Sequence, residues 1–399
     1  SLFTLSLYNL ETQQETLIEY DRKNGGKLIA ALRGEETRIQ VGKIAENERD
    51  RDFSKAAKGY EEFARGQADS KLAEQAYANA VAAHVKAGDL EDVERVVNEW
   101  LKRFPRSERS VESVRGAATN ALVCGAFVQS ARLFDRMGRS GKDLSSLETA
   151  ARIYDGLGEH QAARAAWQRM TKLYPHDAGR FAAARSLANS YVDEPAAGSE
   201  KIQADYYKYC MNGGGVLAAE CGAKLGDLYT KLKDADQALR MYRQVAAMGG
   251  AAAKKGKRSQ GASTDSPFVG YARYRVAEML ERSRSFTPLA LPEAQLKKGL
   301  QARLEFLEPL SRAYTSAVEA GGPWAVAALN RLAHFVEQFA AELDRIPAPE
   351  GTLAAQEQFR GSLRAVSGPL RLKALETWKR AYDEANKKEI LSPAIVEIG

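Results

Sequence analysis

The stretch from Glu220 to Ala247 constrains the fold most. It holds two helix-length blocks, one with Leu225, Gly226 and Tyr229 and one with Ala238, Tyr242 and Val245, separated by a turn at Lys233-Asp234. In each block the apolar or small residues fall three and four apart, the spacing that gathers them on one face of an α-helix. Two such helices joined by a short turn make an antiparallel hairpin. Gly226 and Ala238 stand where the helices must approach closely, so their absent or minimal side chains have a packing reason. One hairpin cannot bury its own apolar face and therefore needs neighbours.

The chain supplies them. From about Thr37, the second block of each hairpin carries a bulky residue four after a small one: Ala56 with Tyr60, Val93 with Val97, Ser130 with Phe134, Ala163 with Trp167 and Ala238 with Tyr242. The bulky residues are 37, 37, 33 and 75 residues apart, so the last interval spans two units. A degenerate unit is expected inside it. Its first helix would hold Ala184, Leu187, Ala188 and Tyr191, its bulky residue would be Tyr206, and a lengthened turn would run from Asp193 to Ser199. Gly88-Asp89, Gly125 and Gly158-Glu159 sit where first helices must stop, and Pro105 and Pro175 follow two of the second helices; both are terminator chemistry.

Leu225-Gly226, Tyr229, Ala238 and Tyr242 closely resemble the tetratricopeptide (TPR) helix-turn-helix unit, and the resemblance extends over residues 37–252 as about six repeats, the fifth degenerate. It implies an all-α, right-handed superhelical solenoid of TPR-like hairpins whose first helices line a concave groove for an extended peptide or a partner helix.

Around this block the expected organisation is a helical hairpin at 1–36, read as a truncated repeat; a flexible basic loop at 249–267 with Lys254, Lys255, Lys257 and Arg258; and a helical extension at 268–399. The loop is poor in large apolar residues, and a solvated insertion is the simpler reading beside a patch for an anionic partner. In the extension, Pro309 should kink or divide a long helix at Glu308, Pro323 should start the next helix, and separate helices are expected over Thr352–Val366 and Leu370–Lys387. Leu391–Gly399 reads as an extended tail. A start at Ser1-Leu2-Phe3 without Met suggests a fragment or a mature form.

Composition excludes more than it selects. Runs of alternating β-branched residues are nearly absent, so sheets lack raw material. The net charge is +6, yet 52 acidic residues interleave with 58 basic ones, a pattern of solvated helix faces with pairs such as Glu91 and Arg95. A nucleic-acid-binding helical repeat is the alternative class, and it would need a continuous basic stripe. No apolar run is long enough to span a bilayer. Cys124, Cys210 and Cys221 fit no metal or disulfide framework; small buried thiols are the simpler reading, and a Cys210–Cys221 bridge is the alternative for an exported chain. His84, His160, His176 and His334 lack ligand spacing, with His84 read as a core histidine. Gly213-Gly214-Gly215 lacks the Lys of a phosphate loop. Glu61-Glu62 is read as part of a charged helix face, and Trp100, Trp167, Trp324 and Trp378 as core. No catalytic, cofactor or metal residues are assigned.

In the repeat register, first-helix residues that avoid the core include Arg115 and Thr119, Glu148 and Arg152, Arg185 and Asn189, and Asp227 and Thr230. Arg115, Arg152 and Arg185 recur about once per repeat and would line a basic strip; ordinary salt-bridged arginines are the simpler reading. Arg185 with Asn189 is similar to the basic-Asn pair with which some TPR proteins hold a terminal carboxylate. Repeats near 37 residues ending in Arg-Phe-Pro and Leu-Tyr-Pro resemble bacterial cell-envelope TPR proteins, among them outer-membrane assembly lipoproteins and gliding-motility components. That resemblance implies a periplasmic scaffold with protein partners in a larger complex; a cytoplasmic site is the alternative.

Overall fold

The computed structural model describes residues 27–67, 69–105, 107–139, 143–193, 195, 197–251 and 266–390, with side-chain surroundings outside the description at 27–33, 70 and 249–251. Sixteen helices and no strand occur among the described residues. The chain divides into two units, Ser1–Tyr174 and Pro175–Gly399.

The first unit contains α1 (Lys27–Arg49), α2 (Phe53–Gly66), α3 (Ser70–Ala87), α4 (Leu90–Arg103), α5 (Glu108–Val123), α6 (Phe127–Gly138), α7 (Leu144–Gly156) and α8 (His160–Leu173). Each helix packs on the next, and α3 also meets α5 and α4 meets α6, so like helices of successive hairpins lie side by side. Helix starts are set by Asp52, Asp69, Ser107 and Asp143, whose side chains accept amide N–H bonds of the first turn. Gly88, Gly125 and Gly158 end first helices with φ of 82°, 80° and 75°, a left-handed conformation that glycine adopts without Cβ strain.

The second unit contains α9 (Gly179–Asp193), α10 (Ser199–Met211), α11 (Gly215–Lys231), α12 (Ala235–Ala251), α13 (Pro267–Arg282), α14 (Glu293–Ala320), α15 (Pro323–Asp344) and α16 (Leu353–Lys387). The last three are longer and enclose a core of Phe306, Leu310, Tyr314, Val336, Phe339, Leu343 and their neighbours.

The fold is therefore all-α and built from TPR-like hairpins. Every small–bulky pair expected at a crossing is buried. A side-chain bond between residues twelve apart closes five of the hairpins: Tyr60 to Glu48, Ser130 to the Ala118 carbonyl, Trp167 to Asp155, Gln203 to the Tyr191 carbonyl, and Thr230 with Tyr242. The repeat period returns in bonds between successive hairpins, as in Arg65 to Glu99, Arg169 to Asp135 and Arg185 to Glu220, which join residues 34, 34 and 35 apart.

Several expectations change. The bulky residue of the fifth hairpin is Tyr207, fully buried, with Tyr206 only half-buried beside it; the crossing position holds Gln203, whose amide donates to a carbonyl of its partner helix at 2.8 Å. Helix α1 runs unbroken across the expected boundary between residues 36 and 37. Pro309 and Pro369 lie inside α14 and α16 without ending them, so 352–366 and 370–387 are one helix. Flanking residues Phe306, Leu310, Leu370 and Ala374 are buried, and that packing offsets the proline cost of about 3 kcal/mol. Trp100 and Trp167 are core, whereas Trp324 and Trp378 are half-buried, and the Trp378 indole donates to Asn330 Oδ1 at 2.9 Å. Residues 1–26 of the expected 1–36 hairpin, the cluster Lys254, Lys255, Lys257 and Arg258, and the tail from Leu391 lie outside the described residues.

Glu61 departs furthest from its expected role. It is 3% exposed rather than on a solvated face. It accepts from His84 Nε2 at 2.8 Å, from both terminal nitrogens of Arg95 at 2.7 Å, and from Arg65 at 2.7 Å. Burial pushes its pKa up, but the bonds and charges of Arg95 and His84 outweigh burial and bring it down to about 2. His84, fully buried, is a core histidine as expected.

Cys210 and Cys221 form a disulfide joining α10 to α11, the alternative rather than the simpler reading. The bond closes an 11-residue separation, and restricting so short a loop in the unfolded chain is worth roughly 2–3 kcal/mol. Thiol titration of the unreduced, denatured chain should find one reactive group, Cys124, and reductant should lower the melting temperature of the second unit. Three reactive thiols before reduction would contradict the bond.

Candidate functional site

The face made by the first helices of the second unit concentrates polar side chains. On α9, α11 and α13 the core takes Ala184, Leu187 and Ala188, then Leu225, then Val269 and Ala272. The residues between them at helical spacing are left to face outward. Arg185 Nη1 meets Glu220 Oε2 at 3.0 Å, Lys224 Nζ lies 3.2 Å from Glu220 and 3.0 Å from Asn189 Oδ1, and Tyr207 donates to Asn189 Oδ1 at 2.9 Å. One turn on, Asp227 Oδ1 accepts from both Tyr242 and Tyr271 at 2.5 Å, and Arg275 Nε donates to Tyr242 Oη at 3.3 Å.

Between α9, α10 and α11 these residues border an open cavity of roughly 400 Å³, lined by Asn189, Val192, Tyr207, Lys224, Asp227, Leu228 and Lys231 among others. Val192 is 57% exposed, so the wall offers apolar surface beside amide, ammonium and carboxylate groups. Burial raises the Tyr207 hydroxyl pKa, and burial with Asp227 beside it pushes Tyr242 up to about 12; both stay protonated donors at neutral pH. Such a set can donate and accept hydrogen bonds along a bound chain.

Among the residues expected to line a groove, Asn189 and Asp227 are brought to this cavity, with Arg185 linked to it through Glu220 and Thr230 one turn beyond Asp227. In the first unit, Arg115 is held by Asp143 at 2.6 Å, Arg152 by Glu148 at 2.5 Å one turn away on the same helix, and Thr119 is exposed on α5. Each of the three arginines thus has an acidic partner, the simpler of the two readings. Lys224, Tyr207, Tyr271 and Arg275 were not legible as site residues. Lys224 carried a signal: it lies one repeat, 35 residues, beyond Asn189.

Removing the Asp227 carboxylate would take a hydrogen-bond acceptor from buried Tyr242 and half-buried Tyr271, a loss of about 1–3 kcal/mol. Asp227→Ala should therefore melt well below the unaltered chain, with Asp227→Asn between them.

No family profile and no curated protein matches the chain. Among solved structures it is similar to a crystal structure of MamA, at 16% identity over 47% of this chain and 97% of that one with a TM-score of 0.30. A structure of MamA 41-end from Desulfovibrio magneticus RS-1 matches at 14% over 46% and 97%, TM-score 0.27. The apo form of the quorum sensor NprR from B. thuringiensis matches at 12% over 88% and 99%, TM-score 0.33. At such identity and fit the fold assignment rests on the hairpins themselves. No helix among the described residues is long and apolar enough to cross a membrane.

Proposed function

We propose that this chain is a non-catalytic protein-binding scaffold that holds an extended peptide or a partner helix against the first-helix face of its second unit. The carrying observation is the open cavity beside Asn189, Lys224 and Asp227, where exposed apolar surface adjoins side chains able to pair with a peptide backbone. The interleaved acid partners of Arg115, Arg152 and Arg185 argue against a nucleic-acid reader, which needs unpaired basic groups in a row. The Cys210–Cys221 disulfide supports an oxidising compartment, in keeping with a periplasmic place in a bacterial envelope assembly.

Peptides selected from a displayed random library against the full chain, and titrated by fluorescence anisotropy, test this. Asn189→Ala and Lys224→Glu should each weaken them about tenfold, the worth of one lost interaction near 1.4 kcal/mol, with helicity unchanged. Arg185→Glu should weaken them too, by freeing Glu220 to compete for Lys224. Selected peptides indifferent to all three changes, or salt-dependent RNA binding that displaces them, would remove the proposal.

A further inference from the structure

The first unit holds a second cluster of chemistry, separate from the peptide-binding face. His84 is fully buried on α3, and its Nε2 side is committed to Glu61 Oε1 at 2.8 Å. Its other ring nitrogen, Nδ1, is buried and has no hydrogen-bond partner. Nδ1 faces Asp89 Oδ2 across 3.7 Å, too long for a hydrogen bond. With Nε2 taken up by Glu61, the ring presents its unpartnered Nδ1 to a carboxylate.

Asp89 immediately precedes α4 but makes no side-chain cap bond to it; the carboxylate instead accepts from Ser54 at 2.8 Å and faces His84. Asp92 stands three residues on. One ligand atom each from His84, Asp89 and Asp92 lie within 4.8 Å of one another. A first-row divalent ion with bonds of about 2.0–2.2 Å holds neighbouring ligand atoms roughly 3.4 Å apart, so the half-exposed carboxylates need only small rotations to close. Arg95 is engaged by Glu61 through two bonds and by Asp92 Oδ1 through one, which leaves the second oxygen of Asp92 for a ligand bond.

We infer that His84, Asp89 and Asp92 form a site for a divalent transition-metal ion of the zinc class, with Glu61 as the positioning residue that fixes the His84 ring. The nitrogen–carboxylate donor set selects zinc-like ions over magnesium or calcium, which take oxygen ligands. A carboxylate on the far ring nitrogen is the arrangement that orients metal-bound histidines. Three protein ligands leave an open coordination position at the half-exposed side of the cluster, where a partner's carboxylate or water could complete the sphere.

The probe is Zn²⁺ alone, titrated calorimetrically into the tag-free full chain carrying Cys124→Ser, which removes the exposed thiol as a rival ligand. One equivalent should bind. Asp89→Asn and Asp92→Asn should each weaken binding at least ~10-fold, and Glu61→Gln by ~10- to 100-fold through lost ring positioning, at temperatures where circular dichroism shows the helices intact. Cobalt substitution should give a spectrum of nitrogen and oxygen ligands without a thiolate band. Absence of binding, or binding by Asp89→Asn and Asp92→Asn as tight as by the parent chain, would overturn the site.

Discussion

Gly226→Leu is expected to unfold the hairpin of α11 and α12 or force it out of register. A Cβ at Gly226 would lie 2.6–2.8 Å from the Tyr242 ring, closer than real Cβ atoms come to anything. The ring cannot swing aside cheaply. Tyr242 is fully buried, and its hydroxyl is tied to Asp227, Thr230 and Arg275. Overpacking costs about 1–3 kcal/mol when the surroundings can shift, and here the shift also breaks hydrogen bonds worth about 1 kcal/mol each. A loss near 3 kcal/mol or more should appear as a fall of several degrees in the melting temperature. Adding Tyr242→Leu should restore part of it, since removing the ring removes the clash. A Gly226→Leu chain that melts like the unaltered one would show that the helices do not cross there.

Acid should destabilise the first unit through Glu61, and the sign follows from its lowered pKa. The carboxyl titrates at about 2 when folded against an ordinary 4.5, so its contribution is fully present above pH 5 and disappears as pH falls from about 4.5 toward 2. The difference is worth at most ~3 kcal/mol at neutral pH, at 1.36 kcal/mol per pKa unit. Urea melts between pH 7 and pH 3 should show a steeper acid decline for the natural chain than for Glu61→Gln. Glu61→Ala should lose more at pH 7, because it also strips His84 Nε2 of its partner in a buried site. Parallel declines in the natural and Gln chains would place the acid sensitivity elsewhere.

The features read from the sequence are those governed by local spacing. Small-then-bulky residues four apart place the helix crossings, and glycines at 88, 125 and 158 place the stops, because both depend on residues within one turn of each other. The midpoint of the long interval points to Tyr206, and spacing does not reveal Tyr207 because its crossing position holds Gln203, whose amide spends its polarity on a carbonyl across the crossing. The break expected between residues 366 and 370 is absent because helix-breaking chemistry is local, whereas the packing that carries α16 through Pro369 is not. Glu61 reads as a surface charge until Arg95, 34 residues away, is brought onto it. Of the cavity, Asn189 and Asp227 follow from the register, while Tyr207 reaches it from α10, and Tyr271 and Arg275 reach the Asp227 cluster from α13, approaches that no spacing reveals.

The covalent link between α10 and α11 bears on how the molecule responds to tension. It ties the last turn of the fifth hairpin to the body of the first helix of the sixth, so backbone between the two sulfurs cannot be drawn out by a pulled partner. Under load, helices on either side of this joint can peel away while the pair itself stays registered. A stretched molecule would then recover by rezipping outward from that fixed point rather than by searching again for its alignment.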